Sequence, residues 1–269
     1  MVTLNIERSG QGLSSQRSRE SSVRGQVYRI LLRDIVRCVT QPGQSLSEKE
    51  VAAALGVSRA PVREAFLQLA EDGLIVISPQ RGTAVAKISI RQVRQAQFTR
   101  EVLERAILAV NCQHVTDRRQ VTGRQHAGAE ACGGLDVALY AQRQAAASRD
   151  YAAFYDADQL FHAELARLSG FDGAGRVADG ARAHLNRVRW LSLPELHGID
   201  AAIVQHEEIV SAIKTGDARR GDQVLTAHLR SVLDALPAIR ERFPGYFDDD
   251  EDLPALPDTS GLTIGWSER

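Results

Sequence analysis

The 269-residue sequence contains little cysteine. Cys38, Cys112 and Cys132 are odd in number and form no Cys-x-x-Cys pair. A disulfide framework and a cysteine-ligated zinc site are therefore not expected, and a reducing compartment fits the sequence. No run approaches the roughly 18 apolar residues that a membrane span needs, and the first twenty residues lack the apolar stretch of a secretory signal. These absences predict a cytoplasmic location and no membrane partner.

The composition is that of a folded protein, with 43% hydrophobic and 25% charged residues. The length suggests one large domain or two ordinary ones. A net charge of −1 conceals an asymmetry, because residues 1–87 carry +4 and the remainder −5. A basic front on an acidic body indicates nucleic-acid contact at one end of the chain.

Residues 23–87 carry the start and stop signals of a helix-turn-helix with a wing. A helical apolar pattern begins at Val23 and ends near Gln41-Pro42-Gly43. Ser47 and Glu50 form a capping box that opens a short second helix, and Gly56 ends this helix in a tight turn. A third helix starts after Ser58 and runs to about Asp72.

The wing is predicted by two short apolar runs at 74–77 and 83–86, separated by a turn at 78–82. Ahead of this domain, residues 1–22 are rich in Ser, Arg and Gln and are expected to form a mobile arm. The order of helix, helix, turn, helix and hairpin predicts a winged helix-turn-helix over 23–87.

The rest of the chain predicts an all-helical bundle, since no convincing strand pattern follows residue 87. We expect a linker at 88–94, a helical domain at 95–240 and an acidic tail at 241–269. The expected helices lie near 91–114, 135–148, 150–169, 174–192, 200–215 and 217–239. The Gly-rich stretch 116–134 has no clear pattern. The predicted fold class is mostly α, with an N-terminal winged helix-turn-helix and a C-terminal helical bundle.

A recognition helix presents its first residues to base edges in the major groove. Arg59 and Arg63 are four residues apart and share a helical face, and arginine can grip guanine at two points. Ser58 and the free N–H groups of the helix start suit a phosphate. The candidate DNA contacts are Lys49, Ser58, Arg59, Ala60, Pro61, Arg63, Arg81 and Gly82.

One segment runs from Leu46 through Leu55-Gly56-Val57-Ser58-Arg59-Ala60-Pro61-Val62-Arg63-Glu64-Ala65 and is continued by Leu69, Gly73-Leu74 and Arg81-Gly82. This segment resembles the GntR family of bacterial transcription regulators. The resemblance covers about residues 23–87. It implies that Lys49, Arg59, Arg63 and the Arg81-Gly82 wing contact double-stranded operator DNA. It also implies a homodimer on a palindromic site.

Four residues of the second domain are candidate metal ligands: Asp158, His162, His206 and His228. The first two are spaced i and i+4, so they share a helical face. Three imidazoles and a carboxylate suit a divalent ion, zinc first, with nickel, iron or manganese as alternatives. His184 is the reserve ligand.

The motifs Asp-x-x-Phe-His, His-Glu-x-Ile, Gly216-Asp217 and His228 resemble the FCD ligand-binding domain of the FadR-type branch of the GntR family. The resemblance runs over roughly 95–235 and matches all four metal positions. It also places Arg100 near a pocket for a small carboxylate metabolite, to which arginine can fork. Arg187 and Arg189 are further candidates for that role. Glu101 and Glu104 offer pairing partners for an arginine.

The favoured function is a ligand-responsive, metal-containing transcriptional repressor without enzymatic activity. Two alternatives stay open. One is a metal sensor in which the ion is the effector. The other is a metal-dependent hydrolase with a DNA-binding appendage, for which Glu207 or Glu208 would act as helper base because no His-Glu-x-x-His motif is present.

Overall fold

The computed structural model describes residues 22–122, 132–194 and 198–248. Two predictions lie outside the described residues: the mobile arm, for residues 1–21, and the acidic tail, for the residues after 248. The described residues form two units. Unit 1 comprises 22–93, 183–191 and 238–248, and unit 2 comprises 94–122, 132–182, 192–194 and 198–237.

Unit 1 begins with α1 (Val23–Val36), β1 (Ser45–Leu46), α2 (Glu48–Leu55) and α3 (Arg59–Glu71), followed by the hairpin strands β2 (Ile75–Ser78) and β3 (Gly82–Val85). The sheet order is β1-β3-β2, with both pairs antiparallel. The apolar faces of the helices and sheet close over a core that includes Val27, Leu31, Val51, Phe66 and Leu69. The winged helix-turn-helix expected from the sequence is confirmed.

The turn between α2 and α3 follows from its residues. The Ser47 hydroxyl accepts a hydrogen bond from the Glu50 N–H at 3.4 Å and so caps α2. Gly56 ends this helix with φ 67°, in the left-handed region that glycine enters without steric cost. The reversal that aims α3 is therefore encoded locally.

The remaining helices are α4 (Ile90–Thr122), α5 (Gly133–Ser148), α6 (Tyr151–Ser169), α7 (Asp172–Ala181), α8 (Ala183–Ser192), α9 (Gly198–Thr215) and α10 (Ala218–Arg242), with a 3-10 turn at Pro244–Tyr246. The core of unit 2 includes Leu108, Phe161, Leu165, Ile209 and Leu225. No strand follows β3 within the described residues, so the mostly helical fold class is confirmed. None of the described helices is both long and apolar enough to cross a membrane.

Three of the expected helices differ from the structure. α1 ends at Val36, ahead of Cys38, whose φ is 54°. α4 continues past His114, supported by polar i, i+4 bonds such as Gln113 Nε2 to Asp117 Oδ1 at 2.7 Å. The helix expected over 174–192 is two helices, and the break at Arg182 coincides with the boundary between the units.

The first residues of the expected acidic tail are ordered on unit 1. Ile88 pairs with Phe247 in a parallel bridge and donates its backbone N–H to the Tyr246 carbonyl at 2.8 Å. Phe247 is buried. Residues 243–248 therefore brace the segment that joins the wing to α4.

Candidate functional site

The start of α3 presents polar atoms to solvent. Ser58, Arg59, Ala60 and Arg63 are exposed, and Pro61 is half-buried in the first turn. The Ser58 side chain makes no capping hydrogen bond to α3. The N–H groups of this helix end therefore remain open to an anion such as a phosphate.

Arg59 is held by an acidic neighbour that the sequence analysis did not single out. Its Nη2 donates to Glu48 Oε2 at 3.0 Å, while 68% of the Arg59 side chain stays accessible. An exposed ion pair of this kind contributes only about 0–1 kcal/mol to the stability of the folded protein. Arg59 can therefore exchange this partner for a guanine edge at small cost.

The other expected DNA contacts are also accessible. Lys49 is exposed in the first turn of α2, and Arg81 and Gly82 are exposed at the tip of the wing. Unit 1 thus presents basic groups from the helix preceding the recognition helix, the recognition helix itself and the wing.

The four candidate metal ligands of unit 2 lie together. Asp158 and His162 project from α6, His206 from α9 and His228 from α10, and all four are buried. One ligand atom from each lies within 4.8 Å of the others. Phe161 stacks on the His206 ring, with centroids 4.0 Å apart, and so fixes its plane.

The outer nitrogen of each imidazole faces an oxygen acceptor. His206 Nδ1 donates to Gln142 Oε1 at 2.8 Å, and His228 Nδ1 donates to Gln205 Oε1 at 3.0 Å. His162 Nδ1 lies 2.7 Å from Glu104 Oε2. These partners favour the proton on Nδ1, which leaves a lone pair on every inward-facing Nε2.

The inward-facing atoms match the requirements of a divalent cation. His206 Nε2 and His228 Nε2 are only 3.1 Å apart, and each lies on a ring whose proton is held at Nδ1. Two lone pairs at this separation repel each other unless a cation lies between them. Ligand atoms about 2.0–2.2 Å from zinc are neighbours at roughly 3.0–3.5 Å, so the donor set fits a metal.

Burial keeps His162 and His228 neutral. It lowers the pKa of His228 well below its usual value, and the neighbouring His206 and His162 lower it further, against the opposing effect of Asp158. Burial likewise lowers the pKa of His162, although the Glu104 carboxylate raises it. Neutral imidazoles are the form that binds metal, so the cluster is preorganised for an ion at neutral pH.

A buried charge network adjoins the cluster through α4. Arg100 Nε donates to Glu104 Oε1 at 2.8 Å, and Arg100 Nη2 donates to His162 Nε2, also at 2.8 Å. Arg182 Nη2 lies 3.6 Å from Glu104 Oε1. Burial alone would raise the pKa of Glu104, but Arg100, His162 and Arg182 hold it well below its usual range. Arg100 thus lies beside the cluster.

The other two candidate effector arginines, Arg187 and Arg189, are in unit 1 rather than unit 2. Arg187 is fully buried, donates to the backbone carbonyls of Ala86 and Lys87, and contacts His184. The structure therefore does not bring Arg187 to the metal cluster, because unit 1 uses it to hold the end of the wing. Arg189 is half-buried on the same helix. His184, the reserve ligand, also lies in unit 1.

Among the residues that surround the ligands, sequence reasoning missed Gln142, Arg182 and Gln205, and it offered Glu104 only as a partner for an arginine. The i, i+4 spacing of Arg100 and Glu104 was the one local signal available for this set. The expected acid partner for an arginine is found twice, because Glu101 also pairs with Arg230 at 2.7 Å.

His184 is expected to make unit 1 sensitive to acid. Its Nε2 donates to the Gly73 carbonyl at 3.0 Å, and its Nδ1 accepts from Arg187. Burial, aided by the Arg187 charge, lowers the pKa of His184 to about 3. The folded state thus binds fewer protons than the unfolded state below about pH 6.5, and stability falls as the pH drops from there toward 3.

Urea unfolding at pH 7 and pH 5 tests this expectation. His184→Gln should lose less stability between the two pH values than the wild type, by about 2 kcal/mol. His114→Gln is the control, because His114 is exposed on α4 and should behave like the wild type. An unchanged pH dependence in His184→Gln would refute the assignment.

Fold and site together define a winged helix-turn-helix domain joined to a helical domain that carries a buried Asp/His cluster. Residues 23–85 match the family model described as "Bacterial regulatory proteins, gntR family", and residues 96–231 match the FCD domain model. The chain belongs to the GntR family of transcriptional regulators and carries an FCD domain.

Relatives support the same assignment. The chain is 35% identical to the HTH-type transcriptional repressor RspR of Escherichia coli K12 over 228 residues, covering 85% of this chain and 95% of RspR. It is 26% identical to a "Probable D-xylose utilization operon transcriptional repressor" of Paenarthrobacter nicotinovorans, covering 82% of this chain and 92% of that protein.

Solved structures agree on the fold. A GntR-type regulator structure from Rhodococcus sp. RHA1 aligns with a TM-score of 0.64 at 26% identity, covering 81% of this chain and 99% of that one. E. coli McbR/YncC aligns with a TM-score of 0.66 at 19% identity, covering 83% and 99% of the two chains.

Proposed function

We propose that the protein is a ligand-responsive repressor that binds a palindromic operator as a homodimer. In this proposal unit 2 holds a divalent metal ion, zinc first, and a small carboxylate metabolite beside it controls operator binding. The observation that carries the proposal is the convergence of three inward-facing Nε2 atoms and the Asp158 carboxylate in one buried cluster.

Unit 1 supplies the DNA contacts in this proposal. Arg59 and Arg63 read base edges, and Ser58, Ala60 and Pro61 bring the start of α3 against the phosphate backbone. Lys49, Arg81 and Gly82 contact the backbone or the minor groove. The assignment as a repressor is supported by the names of RspR and the Paenarthrobacter relative.

Arg100 is the proposed carboxylate-binding residue of unit 2. Its Nη2 donates to the His162 Nε2 lone pair, which is the same lone pair that a cation in the cluster needs. When that lone pair is taken, the Nη2 N–H groups need another acceptor, and a ligand carboxylate supplies one. A bound divalent ion would add a second positive charge to orient the same carboxylate. Arg187 and Arg189 stay further candidates for this role; both lie in unit 1, where Arg187 donates to the Ala86 and Lys87 carbonyls.

The metal-sensor alternative is favoured by the four complete protein ligands, because such a set can respond to the ion alone. The hydrolase alternative has less support. Glu207 forms an exposed ion pair with Arg143, and Glu208 forms one with Arg220. Neither expected helper base is therefore directed at the cluster.

Operator binding by full-length protein tests the proposal. The operator is first selected from random duplexes, and binding is then followed by fluorescence anisotropy at constant zinc while small carboxylates are added. One of them should shift operator affinity by about 5- to 150-fold, the usual range of allosteric coupling. Arg100→Met should bind the operator normally and lose the response.

Two outcomes would contradict this function. A full response to chelator alone, with none to any carboxylate at constant metal, would make the ion the effector. A response to carboxylate that persists in Arg100→Met would remove the ligand assignment. A matched control is Arg219→Met, an exposed arginine on α10 that should respond like the wild type.

A further inference from the structure

Helix α8 of unit 1 contacts the backbone at both ends of the wing hairpin. The chain enters the hairpin through Gly73, just after α3, and leaves it through Ala86 and Lys87, just after β3. His184 Nε2 donates to the Gly73 carbonyl at 3.0 Å, and Arg187 Nη1 donates to the Ala86 carbonyl at 2.5 Å. Arg187 Nη2 also lies 3.5 Å from the Lys87 carbonyl. Two side chains of one helix therefore connect the two ends of the wing.

These two side chains also bond to each other. Arg187 Nη2 donates to His184 Nδ1 at 2.6 Å. Because Nδ1 accepts this bond, the proton of the neutral ring lies on Nε2, the atom that faces the Gly73 carbonyl. Both side chains are buried, and Arg187 fully so. One buried chain of hydrogen bonds thus runs from Gly73 through His184 and Arg187 to Ala86.

The burial of Arg187 shows that its hydrogen bonds matter more than its packing. Taking a guanidinium out of water is costly unless its donors are paired. Burial lowers the pKa of Arg187 to about 10, against the opposing effects of Cys38 and Asp248. An apolar side chain would fill the same space without this cost. What arginine adds at this position is a set of donors for the backbone that leaves the wing.

The shape of the hairpin amplifies any change at its base. Arg81 and Gly82 lie at the tip, about four residues or roughly 13 Å of extended strand from Ala86. A tilt of about 10° at the base therefore moves the tip by about 2 Å. A displacement of this size breaks a hydrogen bond to a phosphate, which requires a distance of about 2.7–3.2 Å. The bonds from α8 are thus placed where they control the position of the tip.

We propose that His184 and Arg187 are positioning residues for DNA binding. By fixing both ends of the hairpin from α8, they place Arg81 and Gly82 against the DNA backbone without touching DNA themselves. This inference rests on the proposed contact between the wing and DNA. It adds the residues that make this contact possible and the helix that carries them.

The salt dependence of DNA binding by the full-length protein tests the inference. Fluorescence anisotropy gives the affinity for operator and scrambled duplex at neutral pH, between about 50 and 200 mM salt. His184→Phe keeps a ring and removes no charge at this pH, because burial lowers the pKa of His184 to about 3. This neutral change should still reduce the salt slope by about one on both duplexes, as Arg81→Ala should, because the wing loses its phosphate contact. Arg187→Met should have the same effect.

Double variants distinguish positioning of the wing from general stability. Adding His184→Phe to Arg81→Ala should not reduce the salt slope further, because the contact is already gone. Adding it to Arg59→Ala should reduce the slope by about one, as it does in the wild type. A loss of folded protein would instead lower the apparent affinity by one factor in every background and leave the slope unchanged.

Matched controls and a folding measurement decide the outcome. His114→Phe and Arg219→Met make the same changes at exposed positions of α4 and α10 and should bind DNA as the wild type does. Urea unfolding identifies a temperature at which each variant is folded. A wild-type slope in either folded variant, or failure of both variants to fold, would overturn the inference and leave the wing contact standing. If Arg81→Ala itself keeps the wild-type slope, the proposed wing contact falls and this inference falls with it.

Discussion

The double variant His206→Ala, His228→Ala is expected to lose its metal. The wild type should be purified with about one divalent ion per chain, and the variant with less than about a tenth of that, because two of four protein ligands are gone. The two Nε2 atoms, 3.1 Å apart, come from different helices, and their removal leaves Asp158 and His162 of the four-residue cluster found among the described residues. Elemental mass spectrometry of the dialysed proteins gives the content.

Thermal unfolding supplies an independent measure of the same loss. An ion that binds only the folded state raises its stability, so a chelator should lower the Tm of the wild type and leave the double variant unchanged. Asp158→Asn keeps the side-chain volume and should lower metal affinity without removing a ring. His114→Ala is the matched control, because it deletes an exposed imidazole on α4 and should keep full metal. Stoichiometric metal in the double variant would refute the site.

Arg59→Ala is expected to erase operator selectivity. Arg59 lies at the first position of α3 with most of its side chain in solvent, paired with Glu48. A two-point contact to guanine contributes about 1–3 kcal/mol of base discrimination, so the ratio of specific to non-specific binding should fall about 10- to 100-fold. Competition between operator and a scrambled duplex, followed at fixed salt, measures this ratio.

The salt dependence of binding distinguishes residues that contact DNA bases from residues that contact DNA phosphates. Arg81→Ala and Lys49→Ala should weaken operator and scrambled duplex alike and reduce the salt slope by about one, since each removes a phosphate contact. Arg219→Ala removes the same charge from an exposed site in unit 2 and should change neither quantity. Unaltered selectivity in Arg59→Ala would mean that another residue reads the bases.

The fold was predictable where local residues determine it. Gly56 and Ser47 set the turn and the cap of the helix-turn-helix without tertiary help. β1 was missed because its two residues have no alternating pattern of their own. They become a strand only through pairing with Ala84 and Thr83 of β3. The break at Arg182 was also invisible, because it arises where the chain passes from one unit to the other.

The four candidate ligands could be predicted from the sequence, but the residues that contact them could not. The i, i+4 spacing of Asp158 and His162 fixes their common face. The partners Gln142 and Gln205, by contrast, depend on how α5 and α9 pack, which no local pattern reveals. For Arg187, the local sequence suggested a ligand-binding role, but the tertiary fold directs its side chain to the Ala86 carbonyl.

Anomalous diffraction at the absorption edge of the metal that elemental analysis identifies would test the cation site most directly. One peak per chain is expected, about 2.0–2.2 Å from the Nε2 atoms of His162, His206 and His228 and from a carboxylate oxygen of Asp158. A peak at any other place, or none in crystals grown with the metal, would contradict a cation held by these four residues.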